Sequence, residues 1–313
     1  MFPIMQANPR RSAFLKMLSR PRVNADFSSD DARQGRFSFL SEGGERVPGI
    51  FVRPAVTQGK APVVIALHGT NGNKEQMLPL MGQLAQRGWL ALAMDGRHHG
   101  ARASHRGAYQ EAILRKWRTG EGLPFLYDTV WDVHRLLDIM PRFGDIDVSR
   151  IGLVGISKGG MEGYLAAASD ERIKASVPCI AAQSFRWGIE NDAWQARVST
   201  FQSAFDAAAR DEGISNPGAE FLRRFYDKVA PGIYSEFDGP AMLPLIAPRP
   251  LYLINGETDP RTPLPGLQEC IKAAQTAYKS TPGRFGFLIQ PDTGHQVRPE
   301  SLAGAVEWLA HFL

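Results

Sequence analysis

Cysteine is nearly absent from this chain: 313 residues hold only Cys179 and Cys270, far apart and in no C-x-x-C pair. A disulfide-built scaffold is therefore excluded, and two structural thiols in a reducing compartment is the simplest account. Long apolar runs are also missing, since none approaches the roughly eighteen residues that a membrane-spanning helix needs. Neither sign of charge dominates: 36 Lys and Arg stand against 32 Asp and Glu, a formal net of +4. The basic residues are scattered, denser only at the start and around residues 97–118, and form no stripe with stacking or base-reading side chains. No nucleic-acid partner is expected. Repeats and low-complexity tracts are absent too, which leaves an ordinary globular chain long enough for one large α/β domain or two small ones.

The first 35 residues read as a leader. "NPRRSAFLKML" has the outline of a twin-arginine signal, but its arginine-to-phenylalanine spacing is one residue too long, and "SRPRVNADFSSD" follows where an apolar region belongs. Arg-rich and acid-free, residues 1–25 also fit an organelle transit peptide. The preferred reading is a cytoplasmic protein whose short surface helix packs through Phe14, Leu15 and Leu18.

From residue 36 onward, apolar runs alternate with helical patterns. "RVPGIFVRP" reads as an early edge strand; "APVVIALHG" and "WLALAMDG" are apolar throughout, and a helix over "KEQMLPLMGQLAQRG" lies between them. Runs without alternation mark strands covered on both faces, hence a mainly parallel sheet. A helix with Tyr127, Val130, Trp131, His134 and Leu137 on one face follows, then a strand ending at Ile156 and a helix from Met161. "IKASVPCI" is a strand made awkward by Pro178, which cannot donate to a ladder. "PLYLING" and "RFGFLIQ" are strands separated by a helix through Gln268 to Tyr278, and a last helix starts at Pro299. Residues 183–245 break this rhythm with helical stretches and many aromatics, among them Phe185, Trp187, Trp194, Phe201, Phe205, Phe221, Phe225 and Tyr226. They read as a helical cap inserted into an α/β domain spanning 36–313.

"VGISKGG" places Ser157 between a strand and a helix, with Gly155 and Gly159 giving room for a strained reversal. By itself G-x-S-x-G is equally an ordinary glycine-rich turn. Two later features change its meaning. Asp259 follows the strand "LYLING", and His295 follows "FLIQPDTG", so the order is Ser, Asp, His, each just past a strand end. A serine hydroxyl attacks only if a neutral imidazole takes its proton, and that imidazole needs a carboxylate to hold its tautomer. Glu257 is the rival acid; the stretch from Asp259 to Pro263 resembles the acid loop of α/β-hydrolases, and that resemblance favours Asp259. "LHGTNG" follows the first strong core strand, where one oxyanion-hole amide is expected. The backbone N–H groups of Thr70 and Lys158 are the candidates. His98, His99 and His105 form no metal site by spacing, since adjacent histidines point apart; Asp95 and Arg97 are expected to brace the loop beside the serine turn.

On these residues the chain resembles the α/β-hydrolase superfamily from about Arg46 to Leu313. G-x-S-x-G-G together with "DGRHHG" is similar to the dienelactone-hydrolase and acetyl-xylan-esterase-like groups, and "RWGIENDAWQAR" with "IAPRPLYLINGETDP" is similar to a group of plant and bacterial serine hydrolases. The resemblance implies ester hydrolysis without a cofactor. Serine replaces the cysteine nucleophile of dienelactone hydrolases, so their substrate does not carry over. The reading is a serine carboxylesterase acting on a small-molecule ester of small to medium acyl size through an acyl-enzyme. A prolyl-oligopeptidase-like peptidase, an acyltransferase and a silent hydrolase-like scaffold are the rivals; oligomeric state is not legible.

Overall fold

The computed structural model describes residues 8–24, 26–56 and 59–313; the first seven residues of the expected leader lie outside them. Among the described residues, nine strands form one sheet: β1 (Ser28–Ser29), β2 (Gln34–Glu42), β3 (Glu45–Val52), β4 (Ala61–Leu67), β5 (Leu90–Met94), β6 (Ile146–Ile156), β7 (Ile173–Cys179), β8 (Leu251–Gly256) and β9 (Phe285–Gln290). Their spatial order is β1-β2-β3-β5-β4-β6-β7-β8-β9. β1, β2 and β3 pair antiparallel with each other, and β3 with β5; every later pair is parallel.

Among the described residues, twelve α-helices accompany the sheet: α1 (Pro9–Leu18), α2 (Leu78–Gln86), α3 (Ala108–Thr119), α4 (Tyr127–Ile139), α5 (Lys158–Ser169), α6 (Phe185–Glu190), α7 (Gln195–Val198), α8 (Gln202–Asp211), α9 (Ala219–Val229), α10 (Gly239–Met242), α11 (Leu264–Ala277) and α12 (Pro299–Phe312). The unbroken apolar runs follow from this layering. Val63, Ile65 and Leu67 of β4 enter a core shared with α4 and α5, whereas Val64 and Ala66 enter a second core under α2 and α12. With both faces covered, no position of β4 or β5 is left for a polar residue.

Several expectations are corrected. β3 is not an edge strand: β2, whose alternation buries Phe37, Phe39 and Ser41, pairs along its outer side. The helix expected over residues 74–88 opens as a 3-10 turn, Lys74–Met77, capped by the Asn73 side chain. Regular helix starts only at Leu78, because Pro79 has no N–H with which to continue an earlier turn. α4 is buried on nearly every side and not along one stripe, since α5, β2 and α1 all pack against it. In α1, Phe14 and Leu18 are buried, with Phe14 edge-on to Tyr127 and Phe237, but Leu15 is 39% exposed.

Pro178 does lie within central strand β7, and the ladder shows why it fits. Ser176 N–H donates to Pro250 O and Ile180 N–H to Ile254 O. Alternation puts the missing donor of Pro178 between them on the β8 side, where pairing thins to two residue pairs. Between β7 and β8 the chain forms short helices joined by turns, with no strand. Its aromatics pack with one another: Phe201 stacks on Phe225, and Phe205 meets Phe221 and Phe225. α3, which the sequence reading missed, joins this layer through Trp117 against Phe221 and Phe225.

Candidate active site

β6 ends at Ile156 and α5 starts at Lys158, so one residue makes the entire reversal. Ser157 takes φ 54° and ψ −113°, a conformation that costs a non-glycine residue on the order of 1–3 kcal/mol and persists only where the surroundings enforce it. The glycines on either side answer a steric demand. A Cβ on Gly155 would fall 2.1 Å from Gly159 O, and one on Gly159 would fall 2.5 Å from Leu67 O and His68 O.

The Ser157 Oγ lies 2.7 Å from His295 Nε2, and His295 Nδ1 lies 2.7 Å from Asp259 Oδ2. Donation of Nδ1–H to the carboxylate leaves Nε2 as the acceptor facing the serine proton. Asp259 also accepts from Arg261 N–H and from the Thr262 hydroxyl, each at 2.8 Å. Burial alone would raise this carboxyl; the donors, His295 foremost, hold it below its ordinary value. For His295 burial dominates and lowers the imidazole below 6.5, with Asp259 opposing in part. Glu257 is elsewhere: its Oε2 accepts the Asp292 N–H, and it does not meet His295.

The turn after β4 lies directly under the nucleophile, with a Cβ on Gly69 coming 3.5 Å from Ser157 Cβ. His68 pins this turn. Its Nδ1–H donates to Gly69 O at 2.8 Å, and its Nε2 accepts from Gly96 N–H at 3.0 Å, so the ring is neutral. Burial and the nearby Lys158 cation push it down to about 4. Thr70 is the next residue of that turn. Opposite it, the Lys158 amide belongs to the first turn of α5, where N–H groups have no intrahelical acceptor and the helix dipole is positive.

"DGRHHG" braces the site from behind. Asp95 accepts from Lys74 N–H at 2.9 Å, Lys74 Nζ at 2.7 Å and Ala101 N–H at 2.9 Å. Gly100 is required there, because a Cβ would fall 2.2 Å from the Asp95 carboxylate. Arg97 forms a two-pronged bond to Asp132, which Arg102 and Ser41 complete. His99 donates to Arg97 O, His105 meets Ser104 and Glu111, and no metal-holding cluster exists among the described residues. The pinning role of His68 and the buried pairing of the Lys158 side chain with Glu162 were not anticipated from the sequence. No local pattern could have signalled the first, since its partner, Gly96, lies 28 residues away.

A parallel sheet carrying a serine on the strand-to-helix turn after β6, with its acid and histidine past β8 and β9, defines an α/β-hydrolase. The chain belongs to the acetyl xylan esterase (AXE1) family, which matches residues 17–190, and it is a carboxylic ester hydrolase. Among its relatives, the Bacillus subtilis (strain 168) protein YtaP, named as a hydrolase, is 24% identical over 288 residues, 85% of each chain. YitV of the same organism, named as an esterase, is 24% identical over 254 residues, 80% of this chain and 89% of its own. The fold is shared with acetyl xylan esterase 1 from Thermoanaerobacterium sp. JW/SL YS485, with a TM-score of 0.69 at 17% identity over 96% of this chain and 93% of that one.

Proposed function

We propose that Ser157 is the nucleophile, His295 the general base and then acid, and Asp259 the group that orients and stabilises the imidazole. The observation that carries this reading is the pair of 2.7 Å contacts linking the three side chains beneath a strained turn. Ser157 Oγ attacks the ester carbonyl as its proton passes to His295 Nε2. The carbonyl oxygen takes up negative charge against the Thr70 and Lys158 amides, worth about 3–4 kcal/mol per donor in comparable sites. Collapse breaks the ester C–O bond, and the alcohol leaves with the proton from Nε2. Water then repeats the sequence on the acyl-enzyme and releases the acid. Asp259 stays ionised throughout.

Small to medium acyl groups are the proposed substrates. Ser157 is only 6% exposed, and the cap's aromatics are consumed in packing against each other, which leaves little apolar surface for a long chain. The test is labelling with a neutral organophosphonate serine probe, followed by esters of graded acyl length. Modification of Ser157 alone is expected, together with kcat/KM that falls at long chains. Labelling of another serine sinks the site assignment, and a steady rise to long acyl groups sinks the size assignment.

A further inference from the structure

The cap holds a buried cation for which the reaction just described has no use. Arg197, on α7, is 4% exposed, as enclosed as the nucleophile, yet no carboxylate among the described residues pairs with it. Its Nε donates to Gln183 Oε1 at 3.3 Å and its Nη2 to Arg261 O at 3.0 Å, both neutral acceptors. These partners fix its place. Gln183 Nε2 is 3.1 Å from the Sδ of Met161, one turn beyond Ser157 on α5, and Arg261 is two residues past Asp259 and donates to it. The guanidinium therefore sits between the nucleophile helix and the acid loop, within electrostatic reach of His295 and Asp259.

Charge around the site is unbalanced. Lys158 and Glu162 cancel each other, and Asp259 is already engaged by His295, Arg261 N–H and Thr262. Arg197 lies within electrostatic reach of that one carboxylate, and the half-buried Arg261, which has no ion pair among the described residues, within reach of His295. Taking an arginine out of water without a counterion is costly, and burial presses its guanidinium below the usual value. Such a cost is met when a ligand brings the missing charge, and a planar guanidinium with a free edge suits a carboxylate better than any other side chain does.

We propose that Arg197 is a specificity residue that binds a free carboxylate of the substrate, so that the preferred substrates are esters carrying a second, unesterified carboxylate. This rests on the serine-esterase reading above. The group could belong to the acyl or the alcohol part. Two pairs of esters separate these: monoethyl glutarate against ethyl pentanoate, and carboxymethyl butyrate against propyl butyrate.

In at least one pair the wild-type protein is expected to favour the anionic ester in kcat/KM by tenfold or more. Arg197→Met should lower the anionic member by about ten- to hundredfold more than the neutral one, the range for a lost bond to a charged group. Arg197→Lys should fall between. Free glutarate should compete with the neutral esters in the wild type, a readout that stands even if Arg197→Met does not fold. Equal loss on both members of each pair, the behaviour of a strut between cap and acid loop, would overturn the proposal, as would a wild-type ratio at or below one in both pairs without competition by glutarate. Phosphonate labelling separates the two failures: label on Ser157 with no anionic preference removes this inference alone, and no label removes the esterase mechanism with it.

Discussion

Helix α5 carries a serine–histidine pair at each end. At its start Ser157 Oγ is 2.7 Å from His295 Nε2; at its close Ser169 Oγ is 3.0 Å from His134 Nε2. Distance does not separate the two, but everything around them does. Ser157 sits on a strained turn ahead of the helix, where free amides and the positive dipole end favour an anion. Ser169 sits in the last turn, at the negative end, and its hydroxyl donates to Leu165 O at 2.7 Å. Its one proton is thus spent on the helix, so His134 must donate to Ser169 Oγ, the reverse of a base. His295 has Asp259 on its other nitrogen, whereas no carboxylate among the described residues hydrogen-bonds the His134 ring. A serine and a histidine in contact become a nucleophile and its base only through tautomer, oxyanion donors and field.

The sharpest break of this comparison is removal of each hydroxyl. Ser157→Ala should abolish phosphonate labelling and cut kcat by about 10⁶-fold, the scale for losing a triad nucleophile. Ser169→Ala should leave kcat/KM on neutral esters within a fewfold of wild type. Comparable losses in the two variants would show that the distinction drawn here is empty. Next in size, Asp259→Asn should slow turnover by about 10⁴-fold with the fold retained, since the imidazole is then held in the wrong tautomer. Glu257→Gln, at a carboxylate that caps the Asp292 amide, should change the rate little. Reversal of that order would move the acid to Glu257.

Ser169 should matter to stability instead. Its loss strands the buried His134 donor, so unfolding free energy should fall by about 1–3 kcal/mol in denaturant titrations. An unchanged midpoint would count against the bond. The smallest expected effect is in pH. His295 acts only when neutral, and burial holds it below 6.5. Thus kcat/KM should be level above that value and fall about tenfold per unit once below the depressed pKa. Burial also lowers His134. Its unfolded form takes up a proton first, so the stability it lends is complete above about 6.5 and drains away as pH falls toward the folded value. Ser169→Ala should leave the acid limb of kcat/KM where it is. A limb that moved with that variant would tie catalysis to the wrong histidine.

Much of the site was legible because its signals are local. Apolar runs without alternation require strands covered on both faces, glycines at 155 and 159 require a sharp reversal, and three strand ends in the order Ser157, Asp259, His295 leave few arrangements that satisfy all of them. The sheet's outer part was not, because β3 becomes an interior strand only when β2 lies along it, and its own residues do not record that neighbour.

The sequence by itself determined the parallel core, the turn that carries Ser157, and the types of residue that must meet there, since periodicity and turn chemistry act over windows of a few residues. Tertiary structure alone decided that Asp259 and not Glu257 reaches His295, that His68 ties two loops together, that Ser169 is spent on its own helix, and that Arg197 is buried beside the acid loop with no carboxylate partner among the described residues. Each of those depends on which distant side chain or backbone group arrives at a given atom, and placement at the scale of a hydrogen bond arises only when all the layers have packed.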